Sequence, residues 1–328
     1  MTHILITGAA GMIGRKLTER LVSDGELNGK PVERLTLLDV IAPPRPAGFA
    51  GKIDTIAADL SAPGEAVKAV AERPQTIFHL AGVLSGEAEV DFDKGYRVNL
   101  DGMRLLIEAI RAAGNGYRPK LVYTSSIAVF GAPFPPSIPD EFHLTPLTSY
   151  GTQKAVGEFL LADHTRREFC DGVGVRLPTI VVRPGKPNRA ASGFFSGIIR
   201  EPLAGLEATL PVPETVVHTH ASPRAAVGFL IHAAGLARDT LGPRINLSMP
   251  GVCCTVAEQI AALRRIAGER VAARIRHKTD PLVARIVEGW PQRIDARRAR
   301  DLGFAAESSF DEIVRIHIDE DRDGSFVA

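Results

Sequence analysis

A short apolar run, His3-Ile-Leu-Ile-Thr7, stops at Gly8-Ala-Ala-Gly-Met-Ile-Gly14 and gives way to Arg15-Lys-Leu-Thr-Glu-Arg-Leu-Val22. Leu17 and Leu21 stand four apart, which lines one face of a helix, whereas a brief apolar run ended by a turn reads as a buried strand. Three glycines between a strand and a helix form the setting in which a backbone turn cradles a pyrophosphate. Gly8 and Gly11 let the chain turn tightly beside the ligand, and the helix N-terminus favours its charge. Gly14 lets the helix pack closely on the sheet. The predicted dinucleotide contact is therefore Gly8, Gly11, Met12, Ile13 and Gly14.

The rest of the chain repeats this alternation. Strands are expected at 34–39, 52–57, 76–80, 120–124 and 175–182, with helices at 64–73, 97–113 and 151–169. Strands alternating with helices predict an α/β fold, a Rossmann doubly wound parallel sheet covered on both faces. Beyond about residue 183, prolines and glycines become frequent and segments shorten. A strand is expected at 215–220 and an apolar helix, returning to the main sheet, at 225–238. Helices at 255–268 and 295–302 follow, separated by short strands, and the charged end at 319–323 is expected to fray. The 328 residues suggest two domains. We assign 1–182 to dinucleotide binding, with a return at about 215–248, and 183–328 mainly to a smaller α/β substrate-binding domain.

Composition narrows the function classes. Lys and Arg total 39 against 38 Asp and Glu, a net charge of +1 that draws in neither nucleic acid nor an anionic membrane. Three cysteines, none in a C-x-x-C pair, argue against a disulfide framework or a zinc site and fit a reducing cytoplasm. The longest uncharged run, 121–139, carries four prolines and is no membrane span. The N-terminus lacks a basic leader pattern.

Asp39 ends the second expected strand. A carboxylate there accepts from both adenosine ribose hydroxyls and repels a 2′-phosphate, which selects NAD over NADP. Its distance from Gly8 exceeds the usual one, and residues 24–33 are expected to be an inserted loop. Tyr150-Gly-Thr-Gln-Lys154 sets a phenol and an ammonium one helical turn apart on one face. A phenol near pKa 10 is a poor base at neutral pH, and a nearby cation stabilises the phenolate so that it can take a proton from an alcohol.

With Asp59-Leu60, His79-Leu-Ala-Gly82, Asn99, Thr124-Ser-Ser126 and Phe130-Gly131, these motifs resemble the extended short-chain dehydrogenases/reductases in the right order over nearly the whole chain. That family includes NDP-sugar epimerases and dehydratases. The resemblance implies that Asp59 and Leu60 flank the adenine, that Leu80, Ala81 and Gly82 line the middle of the cofactor, and that Asn99 lies close by. It makes Ser126 the hydroxyl that holds the reacting oxygen, Tyr150 the acid/base, and Lys154 the ligand of the nicotinamide ribose. Pro184 falls where the family touches the nicotinamide. It also implies a homodimer, formed through the helices near 97–113 and 151–169.

Dehydratases of the family carry an Asp-Glu pair after the active-site hydroxyl, where this chain has Ile127 and Ala128. Epimerases usually carry an asparagine shortly after the sixth strand, where this chain has Lys186, a point-charge partner suited to a small carboxylate. Residues 190–202 are similar to the branch that oxidises D-erythronate. The resemblance thus implies oxidation of C2 of D-erythronate or a close sugar acid. Lys186 is the first candidate for its carboxylate, with Arg183 and Arg189 behind it, and Ser85 is a candidate for its hydroxyls. The alternatives are an NDP-sugar 4-epimerase with tightly held NAD and a non-catalytic NAD(H)-sensing protein. His218 and His220 alternate on an expected strand and face one side; packing or a substrate contact is favoured over a metal. Cys253 and Cys254 are expected to be core residues.

Overall fold

A computed structural model describes residues 2–185 and 192–327, which divide into two compact units. The first comprises Met1–Val129, Thr148–Leu177 and Val227–Leu247; the second comprises Phe130–Leu147, Pro178–Ala226 and Ser248–Ala328.

In the first unit, β1 (Thr2–Thr7) has five of its six residues buried, as a strand covered on both faces must. The sequence continues through β2 (Glu26–Leu27), β3 (Lys30–Asp39), β4 (Lys52–Ala57), β5 (Thr76–His79), β6 (Lys120–Ser126) and β7 (Asp171–Leu177). With β11 (Asn246–Ser248) at one edge, these strands form one sheet in the order β11-β7-β6-β5-β1-β3-β2, and β4 also pairs with β3. The β1, β3, β4, β5, β6 and β7 pairings are parallel. From β1 the chain winds one way to β3 and β4 and the other way to β5, β6 and β7. The C-terminal end of β1 is therefore a topological switch point, where such sheets bind ligands. The Rossmann-type sheet is the fold expected from the alternating pattern.

Several local expectations are corrected. Residues 24–33 are not a loop: Glu26 and Leu27 pair antiparallel with Pro31 and Lys30 across Asn28 (φ 54°) and Gly29 (φ 74°). Both central residues take the left-handed conformation that a tight hairpin demands, and Asn-Gly is the dipeptide that adopts it at least cost. The run 175–182 is not one strand. β7 ends at Leu177, and β8 (Thr179–Ile180) joins another sheet, with Pro178, which has no N–H for a ladder, standing between them. The 97–113 helix opens as a π-helical stretch, Tyr96–Asp101, before becoming α-helical at Gly102–Ala112. The 151–169 helix occupies Ser149–Arg166.

The second unit has its own core around Phe195, Ile198, Ile199, Leu263, Ile313 and Val314. β12 (Val252–Thr255) pairs antiparallel with β10 (Val217–Ala221), which pairs in parallel with β8. β13 (Ile275–His277) pairs with β9 (Ala208–Leu210). Helices Gly193–Leu203, Val256–Ala267 and Phe310–Asp321 supply the remaining apolar faces. The expected 225–238 helix spans Pro223–Gly235, and the chain then leads into β11 of the main sheet. Of the charged end 319–323, residues 319–321 form the last turn of Phe310–Asp321, where Asp321 meets His317 at 3.0 Å. Cys254 is in the core, whereas Cys253 is only half-buried, as opposite faces of an outer strand require.

Candidate active site

The glycine turn fits a pyrophosphate. Gly8 has φ +74°, and a Cβ there would stand 2.7 Å from the Ala81 nitrogen, so only glycine seats β1 against the end of β5. A Cβ on Gly14 would overlap the Gly8 carbonyl oxygen, which explains the third glycine as a packing requirement. Helix Met12–Asp24 begins at Gly11, with no side-chain cap and no acid in its first turn. Its positive end is thus left to an anion.

Asp39 lies across this turn. Its Oδ2 accepts from the Ala10 N–H at 2.9 Å and its Oδ1 from the Val40 N–H at 2.7 Å, so both oxygens are aimed by backbone while the side chain stays half-exposed. Each oxygen retains a lone pair for a ribose hydroxyl. Asp59 accepts from Ser61 and from Arg97 Nη1 at 2.6 Å, and these partners hold its carboxyl below the usual range against the opposing effect of burial. Leu60 is buried, Leu80 and Ala81 are half-buried, and Gly82 is open to solvent. Asn99 is fully buried. Its Oδ1 accepts from the Val83 N–H at 2.8 Å and its Nδ2 donates to Gln153 Oε1 at 2.7 Å, tying the loop after β5 to helix Ser149–Arg166.

That helix starts at Thr148, whose side chain accepts from the Gly151 N–H at 3.0 Å, and Tyr150 is its second residue. Glu89, one turn on from Ser85, accepts from the Ser149 N–H at 3.1 Å. The helix packs on β6 and the following turn Ile127–Val129. This packing brings Tyr150, Lys154 and Ser126 into one unit. Ser126 Oγ accepts from the Ala128 N–H at 3.1 Å, which orients the hydroxyl and leaves its proton to donate. Lys154 is buried. Its Nζ donates to the Thr124 carbonyl at 2.8 Å and stands 4.9 Å from the centre of the Tyr123 ring and 5.8 Å from that of Tyr150. Burial pulls its pKa from 10.5 to about 8, and Glu158 opposes that pull. The ammonium so placed lies over the rings of both tyrosines, an arrangement that attracts a cation.

Four further side chains escaped sequence reasoning. Glu158 accepts from Arg176 Nε at 2.9 Å, from Arg176 Nη2 at 2.7 Å and from Ser125 Oγ at 2.5 Å, all of them buried. Their signals were an arginine inside the apolar strand run Gly-Val-Gly-Val-Arg-Leu177 and a glutamate one turn beyond Lys154. Tyr123 lies beneath Lys154, and any side chain at Gly157 would collide with its hydroxyl.

Ser85 opens helix Ser85–Val90 and is half-buried. In the second unit, Arg183 donates from its backbone N–H to Ser196 Oγ at 3.1 Å and from Nε to the Ile180 carbonyl at 3.1 Å, and the half-buried Pro184 follows. Lys186 and Arg189 lie outside the described residues. His218 and His220 are packed side by side. His218 stacks on Phe195 (5.2 Å between centroids, 6° between planes) and shares a 2.6 Å hydrogen bond with Thr179 Oγ1, while His220 lies 2.8 Å from the Gln259 amide. Burial lowers His218 to about 4 and His220 further still, so both are neutral.

Residues 4–223 match the NAD dependent epimerase/dehydratase family. The chain belongs to that family. The cofactor of this epimerase/dehydratase-family protein is NAD, in keeping with the turn and carboxylate described above. It is 48% identical to a D-erythronate dehydrogenase of Cupriavidus necator, over 97% of this chain and 98% of that protein. It is 36% identical to a D-erythronate dehydrogenase of Haemophilus influenzae, over 97% and 99%. A solved structure from Agrobacterium tumefaciens, described as a nucleoside-diphosphate-sugar epimerase, is 64% identical and superposes with a TM-score of 0.97 over 99% of this chain and 95% of that one. No helix among the described residues is long and apolar enough to cross a membrane.

Proposed function

We propose that this protein is an NAD-dependent dehydrogenase that oxidises the C2 hydroxyl of D-erythronate, or of a similar small sugar acid, to the 2-oxo acid. The observation that carries the chemistry is Lys154, a buried cation seated between the Thr124 carbonyl and the rings of Tyr123 and Tyr150. The choice of substrate is supported by the likeness to the two D-erythronate dehydrogenases over 97% of the chain. Tyr150, as phenolate beside Lys154, takes the hydroxyl proton. Ser126, oriented by the Ala128 N–H, donates to the same oxygen and holds it as the carbonyl forms. NAD, when bound, supplies the hydride acceptor. Gly8, Gly11, Met12, Ile13 and Gly14 would seat its pyrophosphate, Asp39 a ribose, and Asn99 and Lys154 the nicotinamide end. We place the protein in the cytoplasm as a homodimer; Phe159, 63% exposed on helix Ser149–Arg166, is an apolar residue for that contact.

The test is NADH appearance with purified protein, NAD and D-erythronate, with L-threonate and UDP-sugars in parallel. NADH formation with D-erythronate is expected. Tyr150→Phe should retain NAD binding and lose about 10³-fold in turnover; undiminished turnover would remove Tyr150 as the base. The epimerase description of the 64% identical structure favours a second reading, an NDP-sugar 4-epimerase. Conversion of a UDP-sugar to its epimer without net NADH would establish that reading instead.

A further inference from the structure

We propose that Glu158, held by Arg176, is a positioning residue for the proton-transfer pair: one carboxylate ties the strand end bearing Ser126 to the helix bearing Tyr150 and Lys154, and stands one helical turn from Lys154 as its counter-charge. This rests on the roles given above to Tyr150, Lys154 and Ser126.

Two geometric facts carry it. Tyr150, Lys154 and Glu158 are spaced four apart on Ser149–Arg166, so they lie one above another on a single helix face. Glu158 Oε1 also accepts from Ser125 Oγ at 2.5 Å, and Ser125 is the residue before Ser126 on β6. A hydrogen bond one residue from the reacting hydroxyl fixes the height of the strand end against the helix, where small displacements are costly to a reaction. Arg176 on β7 engages both oxygens of the same carboxylate, at 2.7–3.1 Å, and so prevents it from rotating.

The charge argument follows from what faces Lys154. On β5 stands His79, buried and neutral because burial, aided by Lys154 itself, lowers it to about 3. On β6 stands Tyr123, whose buried hydroxyl is held neutral. On the helix stand Tyr150 and Glu158. Glu158 is thus the anionic side chain opposing the desolvation of the Lys154 ammonium. A cation that lost its proton would no longer stabilise the Tyr150 phenolate.

The experiment is a lysine ¹³Cε NMR titration of the full-length protein, with the Lys154 signal assigned through Lys154→Arg, alongside the pH profile of turnover. In Glu158→Gln, Lys154 should titrate about one pH unit lower than in the wild type, and the alkaline fall in turnover should move down with it. Should that variant fail to fold because Arg176 is left unpaired, Glu158→Gln with Arg176→Met removes the pair together and should give a smaller shift of the same sign. Ser125→Ala should reduce turnover severalfold and leave the Lys154 titration where it was, separating position from charge. An unmoved Lys154 titration in folded Glu158 variants, with turnover within twofold of the wild type, would overturn the proposal and leave Glu158 a packing residue. The titration needs no substrate. Full turnover in Tyr150→Phe would therefore refute the parent reading without touching this result.

Discussion

Two buried polar clusters, one in each unit, show how differently a fold treats a group that keeps its charge and one that gives it up. In the first unit, Glu158, Arg176 and Lys154 are ionised under a sheet, and each has a partner: carboxylate with guanidinium, ammonium with the Thr124 carbonyl and two aromatic faces. In the second, His218 stacks on Phe195 and His220 meets the same ring edge-on; neither is paired with a carboxylate among the described residues, and both shed their protons. Burying an ion is costly unless it is paired, and a neutral imidazole avoids that cost. Charge is retained where the chemistry we propose uses it. It is given up where the residues fill a core.

The comparison breaks most visibly at Glu158. Glu158→Ala leaves the Arg176 guanidinium buried without its counter-charge, and urea unfolding should show a loss of about 3–5 kcal/mol. A loss below about 1 kcal/mol would mean that the pair is solvated and unlike an interior ion pair.

The second unit should respond to pH. Above about pH 6.5, His218 is neutral in both the folded and the unfolded chain, and its full contribution to stability is present. As pH falls below that value, the unfolded chain takes up a proton that the folded chain, with His218 at about 4, refuses, so stability declines towards pH 4. The loss assigned to this one residue is roughly 3 kcal/mol. His218→Phe should flatten the slope of unfolding free energy between pH 6.5 and 4.5, and an unchanged slope would count against a neutral, buried His218. The smallest effect is expected at Gln259→Leu, which removes the polar neighbour of His220 and should cost about 1 kcal/mol while turnover stays at the wild-type level.

How much was legible in the sequence depended on how local the cause was. The glycine turn could be read because Gly8 and Gly14 answer to backbone sterics within one strand–turn–helix unit. Tyr150 and Lys154 could be read because a four-residue spacing has the same meaning on any helix. The Asn28-Gly29 hairpin is equally local, but the long Gly8–Asp39 spacing by itself implies only extra length, and the turn shows only in the dipeptide's preference for the left-handed region. The break at Pro178 is less legible, because the apolar run 175–182 reads as continuous and a single residue without an N–H interrupts it.

Glu158, Arg176, Ser125 and Gln153 were not legible, because their partners lie between 18 and 54 residues away and only the packing of strand on helix brings them together. The sequence by itself determined the parallel sheet, the cofactor turn and the pair one helical turn apart, all through short-range periodicity and backbone freedom. Only the tertiary structure decided which buried groups remain charged, because a side chain's ionisation is set by the dielectric and the counter-charges around it, and those come from residues distant in the chain.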